Sequence, residues 1–149
     1  MNKINKTVEA FLFSSNKYRN PSLTSLSPNL WAAKKYTIDG SYLDNLDEGA
    51  LIIYPMLKAL NNNLLNNKFE TNIITSAKEL FNFYENDFNS IDSLYRFKYG
   101  TKLKWDGVWQ PFNRQSNLSL VLMELIKNSS VNSIVYSSRL NQLATSFRN

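Results

Sequence analysis

The feature that most constrains the fold is an Asp-Gly pair set between two stretches of alternating residues. Asp106 and Gly107 separate residues 102–105 from residues 108–112. An Asp-Gly pair supplies the left-handed conformations of a type I′ turn, whose twist matches that of two antiparallel strands. We therefore predict a tryptophan-rich β-hairpin over about 101–112, within a small mixed or antiparallel sheet.

The spacing of apolar residues predicts helices packed on this sheet, and thus an α+β fold. The predicted elements are helices at 5–16, 55–66, 76–88 and 117–128, strands at 50–54, 72–75 and 133–137, and a helix or strand at 139–147. With 149 residues and 43% hydrophobic composition, the chain is long enough to bury a core. We take it to be a single domain over 1–149.

Pro55 leaves an alternative open between residues 42 and 66. A residue that precedes proline avoids the helical conformation, and proline suits the first position of a helix. These preferences favour a buried strand at 50–54 followed by a helix at 55–66. A single kinked helix over 42–66 is the alternative, because its leucines and isoleucines also keep helical spacing.

Composition excludes several classes of chemistry. The chain contains no cysteine and no histidine, which rules out disulfides, thiolate nucleophiles and Ser-His-Asp triads. Its four glycines form no phosphate-binding loop. Asp44, Asp47 and Glu48 could place carboxylates for Mg²⁺ on one helix face, but the helix dipole explains acidic residues at a helix start more simply. We predict no metal site and no cofactor.

The sequence also indicates where the protein resides. The longest apolar run, 50–54, is far shorter than a membrane span, and no secretory h-region follows the basic N-terminal residues. We expect a protein of the cytoplasm or of a virion or organelle interior, neither secreted nor bound to a membrane. The 21 asparagines indicate an AT-rich coding sequence, as in many phages, mobile elements and organelles.

A basic–aromatic segment gives the main functional lead. Residues 95–99 alternate aromatic and cationic side chains, and between 95 and 114 five cations stand against one acid. In the predicted hairpin register, Lys102, Lys104 and Trp109 share one face. Cations neutralise phosphates and an aromatic ring stacks a base, so this face suits single-stranded nucleic acid. The candidate residues for nucleic-acid or partner binding are Arg96, Lys98, Lys102, Lys104, Trp109 and Arg114.

Two other interpretations of this segment stay open. Aromatic residues in strands commonly belong to the core, and lysines commonly keep a sheet edge soluble. An exposed Trp109 would equally suit a protein–protein interface, where tryptophan is a frequent hot spot.

Two stretches resemble part of a known family. The segment Ile73-Ile74-Thr75-Ser76, running on to Glu85, and the segment from Asn132 to Phe147 resemble RES-domain proteins. Those proteins are NAD-consuming or ADP-ribosylating toxins, and the second segment resembles their last strands. The resemblance implies that Glu85 is the acidic catalytic residue, Ser138 the family's serine, and NAD the cofactor.

Three functions are therefore considered. The first is a non-enzymatic structural or interaction protein of a phage, mobile element or organellar assembly. It would dock on a protein or nucleic-acid partner, as the long connection 17–40 and Trp109 suggest. The second is direct binding of single-stranded RNA or DNA through the basic–aromatic face. The third is a RES-like reaction that consumes NAD.

Overall fold

The computed structural model describes residues 3–18, 32–33, 43–44, 46–97 and 107–148, and this part of the chain is mostly helical. The helices are α1 (Lys3–Tyr18), α2 (Leu46–Asn61), α3 (Glu70–Tyr84), α4 (Phe112–Lys127) and α5 (Ile134–Ser146). Two 3₁₀ turns flank α3, at Asn67–Phe69 and Glu85–Asp87. Two antiparallel strand pairs complete these elements: β1 (Ala32–Ala33) with β2 (Leu43–Asp44), and β3 (Phe88–Asn89) with β4 (Leu94–Tyr95). The α+β class is confirmed in this coarse sense.

Helix α2 continues through Pro55. Its buried face carries Ile53, Met56, Leu57 and Leu60, which follow helical spacing. An interior proline removes one backbone hydrogen bond and costs about 3 kcal/mol, but burial of this apolar face outweighs that cost. The predicted strand at 50–54 and the helix start at 55 are therefore wrong, and the single-helix alternative is close to the observed element.

Helices also occupy two other predicted strands. Residues 72–75 lie in α3, where Ile73, Ala77 and Leu80 face the core with helical spacing. Residues 134–137 begin α5, after the Asn132 side-chain oxygen accepts a hydrogen bond from the Ile134 amide at 3.2 Å. Both strand predictions are wrong. The prediction of a helix at 117–128 is confirmed by α4, which begins five residues earlier.

The predicted tryptophan-rich hairpin is not confirmed. Residues 98–106, including Lys102, Lys104 and the turn residue Asp106, lie outside the described part of the chain. Trp109 forms an antiparallel bridge with Arg96, whereas the predicted register places it opposite Lys104. Helix α4 begins at residue 112, so the strand predicted over 108–112 ends earlier than expected.

The core lies between α2 and α4, which pack along each other and against α3 and α5. Val8 of α1 joins this core. Gly49 lets α2 approach α3 closely, because a Cβ atom at this position would lie 2.7 Å from Cδ1 of Leu80. Within the described residues, no helix combines the length and the apolarity needed to cross a bilayer.

Candidate docking site around Trp109

Trp109 lies in a short antiparallel pairing between residues 95–97 and 107–110. The Phe97 amide donates to the Val108 carbonyl at 2.8 Å, and the Gln110 amide donates to the Tyr95 carbonyl at 2.9 Å. Gly107 has a φ of +74°, a left-handed conformation that favours glycine. These features fix the backbone of Trp109 just before α4 begins.

The indole of Trp109 is anchored at one edge and exposed over much of its surface. The side chain is 55% exposed, and its Nε1–H donates to Oδ2 of Asp92 at 2.8 Å. The guanidinium carbon of Arg96 lies 5.5 Å from the centroid of the ring. Val108, the preceding residue, is exposed as well. We term Asp92, Arg96, Val108 and Trp109 the Trp109 surface.

Asp92 holds the Trp109 surface together. Its carboxylate accepts from Nη2 of Arg96 at 2.7 Å and from the Leu94 amide at 3.1 Å. Its backbone carbonyl accepts from Oγ of Ser146 at 2.7 Å, which ties this turn to α5. Burial alone would raise the pKa of Asp92, but the hydrogen bonds from Arg96 and Trp109 outweigh it and lower the pKa below its usual value. Asp92 is therefore ionised at neutral pH and neutralises Arg96.

The candidate cations that the structure describes do not form one exposed basic face. Arg96 is ion-paired with Asp92. Arg114 is buried in α4, with its guanidinium carbon 5.3 Å from the ring centroid of Phe97. The other candidates, Lys98, Lys102 and Lys104, lie outside the described residues, so their placement beside Trp109 stays a prediction.

Glu85, the acid that the RES-domain resemblance makes catalytic, is held in an ion pair. Its carboxylate accepts from Nε and Nη2 of Arg139 at 3.0 and 2.6 Å, and from the Tyr95 hydroxyl at 2.7 Å. The guanidinium carbon of Arg139 also lies 3.3 Å from the ring centroid of Phe88. Ser138, the residue before Arg139 on α5, is exposed. These contacts tie the end of α3 to α5, and a catalytic role for Glu85 and Ser138 stays a prediction.

Sequence reasoning misses two residues that organise this region. Asp92 precedes Arg96 by four positions, a spacing that pairs charges on a helix, but the segment is not helical. The opposite charges of Asp92 and Arg96 are therefore only a weak indication in the sequence that the two residues pair. Arg139 contacts a carboxylate 54 positions away, so no local pattern reveals it.

Two clefts offer other binding possibilities. An apolar groove of about 330 Å³ runs between α1 and α2, lined by residues that include Val8, Leu51 and Pro55. A polar cleft of about 350 Å³ lies where α2 and α4 end, with Glu124 and Lys127 in its wall. Among the described residues, no three acidic side chains are grouped to hold a metal ion. The acidic side chains predicted at 44–48 lie outside the described ones.

No family model, no curated protein and no solved structure matches the chain. The function of the Trp109 surface therefore has to be argued from its own geometry.

Proposed function

We propose that this chain is a non-enzymatic interaction protein that docks on a protein partner through the Trp109 surface. The supporting observation is the half-exposed indole of Trp109, which Asp92 holds by a hydrogen bond and beside which the Arg96 guanidinium lies. Tryptophan and arginine dominate the hot spots of protein interfaces. The asparagine-rich composition fits a partner within a phage, mobile-element or organellar assembly.

The anchoring of the indole matters for affinity. A side chain that is already fixed in one orientation loses less conformational freedom when a partner covers it. Asp92 uses the only polar atom of the ring, so the exposed remainder is an apolar face beside exposed Val108. Such a face fits an apolar pocket on another protein.

The same contacts favour a protein over single-stranded nucleic acid. Within the described part of the chain, Arg96 is the cation beside the indole; Asp92 neutralises it, and this carboxylate would repel a phosphate. Arg114 is buried and cannot meet a strand that stacks on Trp109. Binding of single-stranded RNA or DNA remains the second candidate, because it would depend on Lys102 and Lys104, and the exposed ring could stack a base.

Site-specific crosslinking tests the docking proposal. A photoreactive benzophenone side chain at Val108, in protein expressed in its source cells, should form a covalent adduct with another protein. The substitution Trp109→Ala should abolish the adduct because it removes the anchoring ring. Val135→Ala, which truncates an exposed residue of α5, is the control and should leave it intact. An adduct that survives Trp109→Ala, or no adduct at all, would contradict the proposal.

A labelled single-stranded oligonucleotide distinguishes the second candidate. Phosphate contacts are strongest at low salt, so binding at about 50 mM salt is the most permissive condition. Under the docking proposal we expect no binding there. Binding that is lost in Trp109→Ala and Lys104→Ala, with both variants folded by circular dichroism, would favour nucleic acid instead.

A further inference from the structure

The polar cleft where α2 and α4 end is large enough for a small ligand, since its volume is about 350 Å³. One wall of the cleft is formed where α2 stops. The φ of Asn63 is +57°, and the Leu64 and Asn63 amides donate to the carbonyls of Ala59 and Leu60 at 2.9 and 3.0 Å. These two bonds form a Schellman motif, which gives this wall a defined backbone conformation.

A buried carboxylate lines the same cleft. Glu124 is only 4% exposed, and its Oε2 and Oε1 atoms accept from Nδ2 of Asn61 at 2.9 Å and from Nζ of Lys127 at 3.0 Å. Asn128, which is also buried, donates in turn to the side-chain oxygen of Asn61 at 2.9 Å. Each carboxylate oxygen can accept two hydrogen bonds, so Glu124 keeps acceptor capacity for a ligand.

Three further polar side chains line the cleft and are available to a ligand. Asn63, Asn67 and Glu70 make no side-chain hydrogen bond to any described residue. An amide both donates and accepts, whereas a carboxylate only accepts. The Asn66 side chain accepts from the Lys68 amide at 2.9 Å and so caps the turn that carries Asn67. The cleft therefore presents donors and acceptors together on an ordered backbone.

The charges and shape of the cleft argue against several classes of ligand. Glu70 and Glu124 would repel an anion such as phosphate. The ammonium group of Lys127 would repel a divalent cation, which usually needs more carboxylates than these two. Among the described residues of the lining, Leu60 alone is apolar, so a planar aromatic ligand would find no ring to stack on. A neutral ligand whose own groups both donate and accept fits this lining best.

We propose that the polar cleft binds a small neutral sugar. Each sugar hydroxyl donates one hydrogen bond and accepts others, so adjacent hydroxyls donate to the two oxygens of Glu70 while Asn63 and Asn67 donate to the hydroxyls. The buried carboxylate of Glu124 accepts from a hydroxyl that enters more deeply. A monosaccharide has few atoms and the cleft is open, so the expected Kd is about 1–10 mM. The site uses no residue of the Trp109 surface and is independent of partner docking.

Titration of the ¹⁵N-labelled full chain by NMR tests the sugar site. The probes are D-glucose, D-mannose and D-galactose, each added up to about 50 mM. At least one of them should shift the amide signals of Asn63, Asn67 and Glu70 in a saturable way. Glu70→Gln should weaken this binding about tenfold, because hydrogen bonds to a charged acceptor are the stronger ones. Glu79→Gln makes the same change further along α3, outside the cleft, and should have no effect.

Three further probes separate a sugar from other ligands. Sorbitol carries similar hydroxyls on an open chain and should bind more weakly, because it loses more conformational freedom. Sodium phosphate and MgCl₂ should leave the same signals in place. The proposal is overturned if none of the three sugars gives a saturable shift, if folded Glu70→Gln binds as tightly as the unaltered chain, or if sorbitol, phosphate or Mg²⁺ binds equally well. Because these titrations use the purified chain alone, a negative result leaves partner docking at Trp109 unaffected.

Discussion

At the scale of single residues, Asp92 is the side chain on which the Trp109 surface depends most. One carboxylate oxygen receives both the indole N–H and the Arg96 guanidinium, and the backbone carbonyl receives the Ser146 hydroxyl. The aromatic ring is therefore positioned by a charged residue whose own side chain is only 22% exposed. Loss of the carboxylate should loosen the ring without exposing new core.

The lowered pKa of Asp92 makes this contribution dependent on pH. Because the pKa is lower in the folded than in the unfolded state, the stabilisation is complete above the unfolded value and is lost as the pH falls through the folded value. We expect Asp92→Asn to lower the free energy of unfolding by about 1 kcal/mol at pH 7 and to have little effect near pH 2. Urea denaturation at both pH values measures the difference.

A matched control comes from a more exposed pair. Glu9 meets Lys68 at 3.4 Å with both side chains half exposed, so Glu9→Gln should leave stability nearly unchanged at either pH. If Asp92→Asn costs as much near pH 2 as at pH 7, the ionised carboxylate is not what stabilises the turn.

At the scale of secondary structure, periodicity predicts the helices better than the strands. The helix at 117–128 has a long amphipathic pattern and is confirmed in α4. The predicted strands at 72–75 and 133–137 are short runs rich in isoleucine or valine, and periodicity over so few residues cannot distinguish a buried strand from a buried helix. Packing against neighbouring helices stabilises the helical conformation of both segments, since Ile73 and Tyr136 are buried on helical faces.

The candidate site was predictable only in part. The sequence predicts an exposed Trp109, and the side chain is half exposed, but the hairpin register behind this prediction, with Trp109 opposite Lys104, is not the observed one. The residues that contact Trp109 are not predicted from the sequence, because the pairing of 107–110 with 95–97 is set by the register across the intervening connection. Arg114 was predicted at the site as a cation, but helical spacing in α4 turns it towards the core.

Pro55 provides a test of how α2 is stabilised. The proline ring is exposed, and its missing N–H leaves one carbonyl of the preceding turn without its helical partner. We expect Pro55→Ala to raise the free energy of unfolding by about 1–3 kcal/mol, because alanine restores this hydrogen bond. Pro111→Ala, outside the first turn of α4, is the control and should change stability much less. A loss of stability in Pro55→Ala would show that the core requires a bend at this position.

At the scale of the whole molecule, the contact between α2 and α4 links distant parts of the sequence. Beyond the apolar core, the Asn61 side chain donates to the Glu124 carboxylate at 2.9 Å and accepts from the side-chain Nδ2 of Asn128 at 2.9 Å. Burial would raise the pKa of Glu124, but hydrogen bonds from Asn61 and Lys127 outweigh it and lower the pKa. Four of the residues that line the polar cleft at this end therefore satisfy one another, which supports a structural role for them: Asn61, Glu124, Lys127 and Asn128.

The strongest test of this architecture compares two leucines of one helix. Leu57 is fully buried and Leu51 is 55% exposed, so Leu57→Ala should cost about 2–5 kcal/mol and Leu51→Ala less than about 1 kcal/mol. Both changes alter helix propensity equally, so the difference in urea denaturation reports burial alone. A buried strand at 50–54, as the sequence first suggests, would make Leu51 part of the core, and the two substitutions would then cost similar amounts. A clear difference therefore supports one continuous helix whose inner face meets α4, and equal costs would refute it.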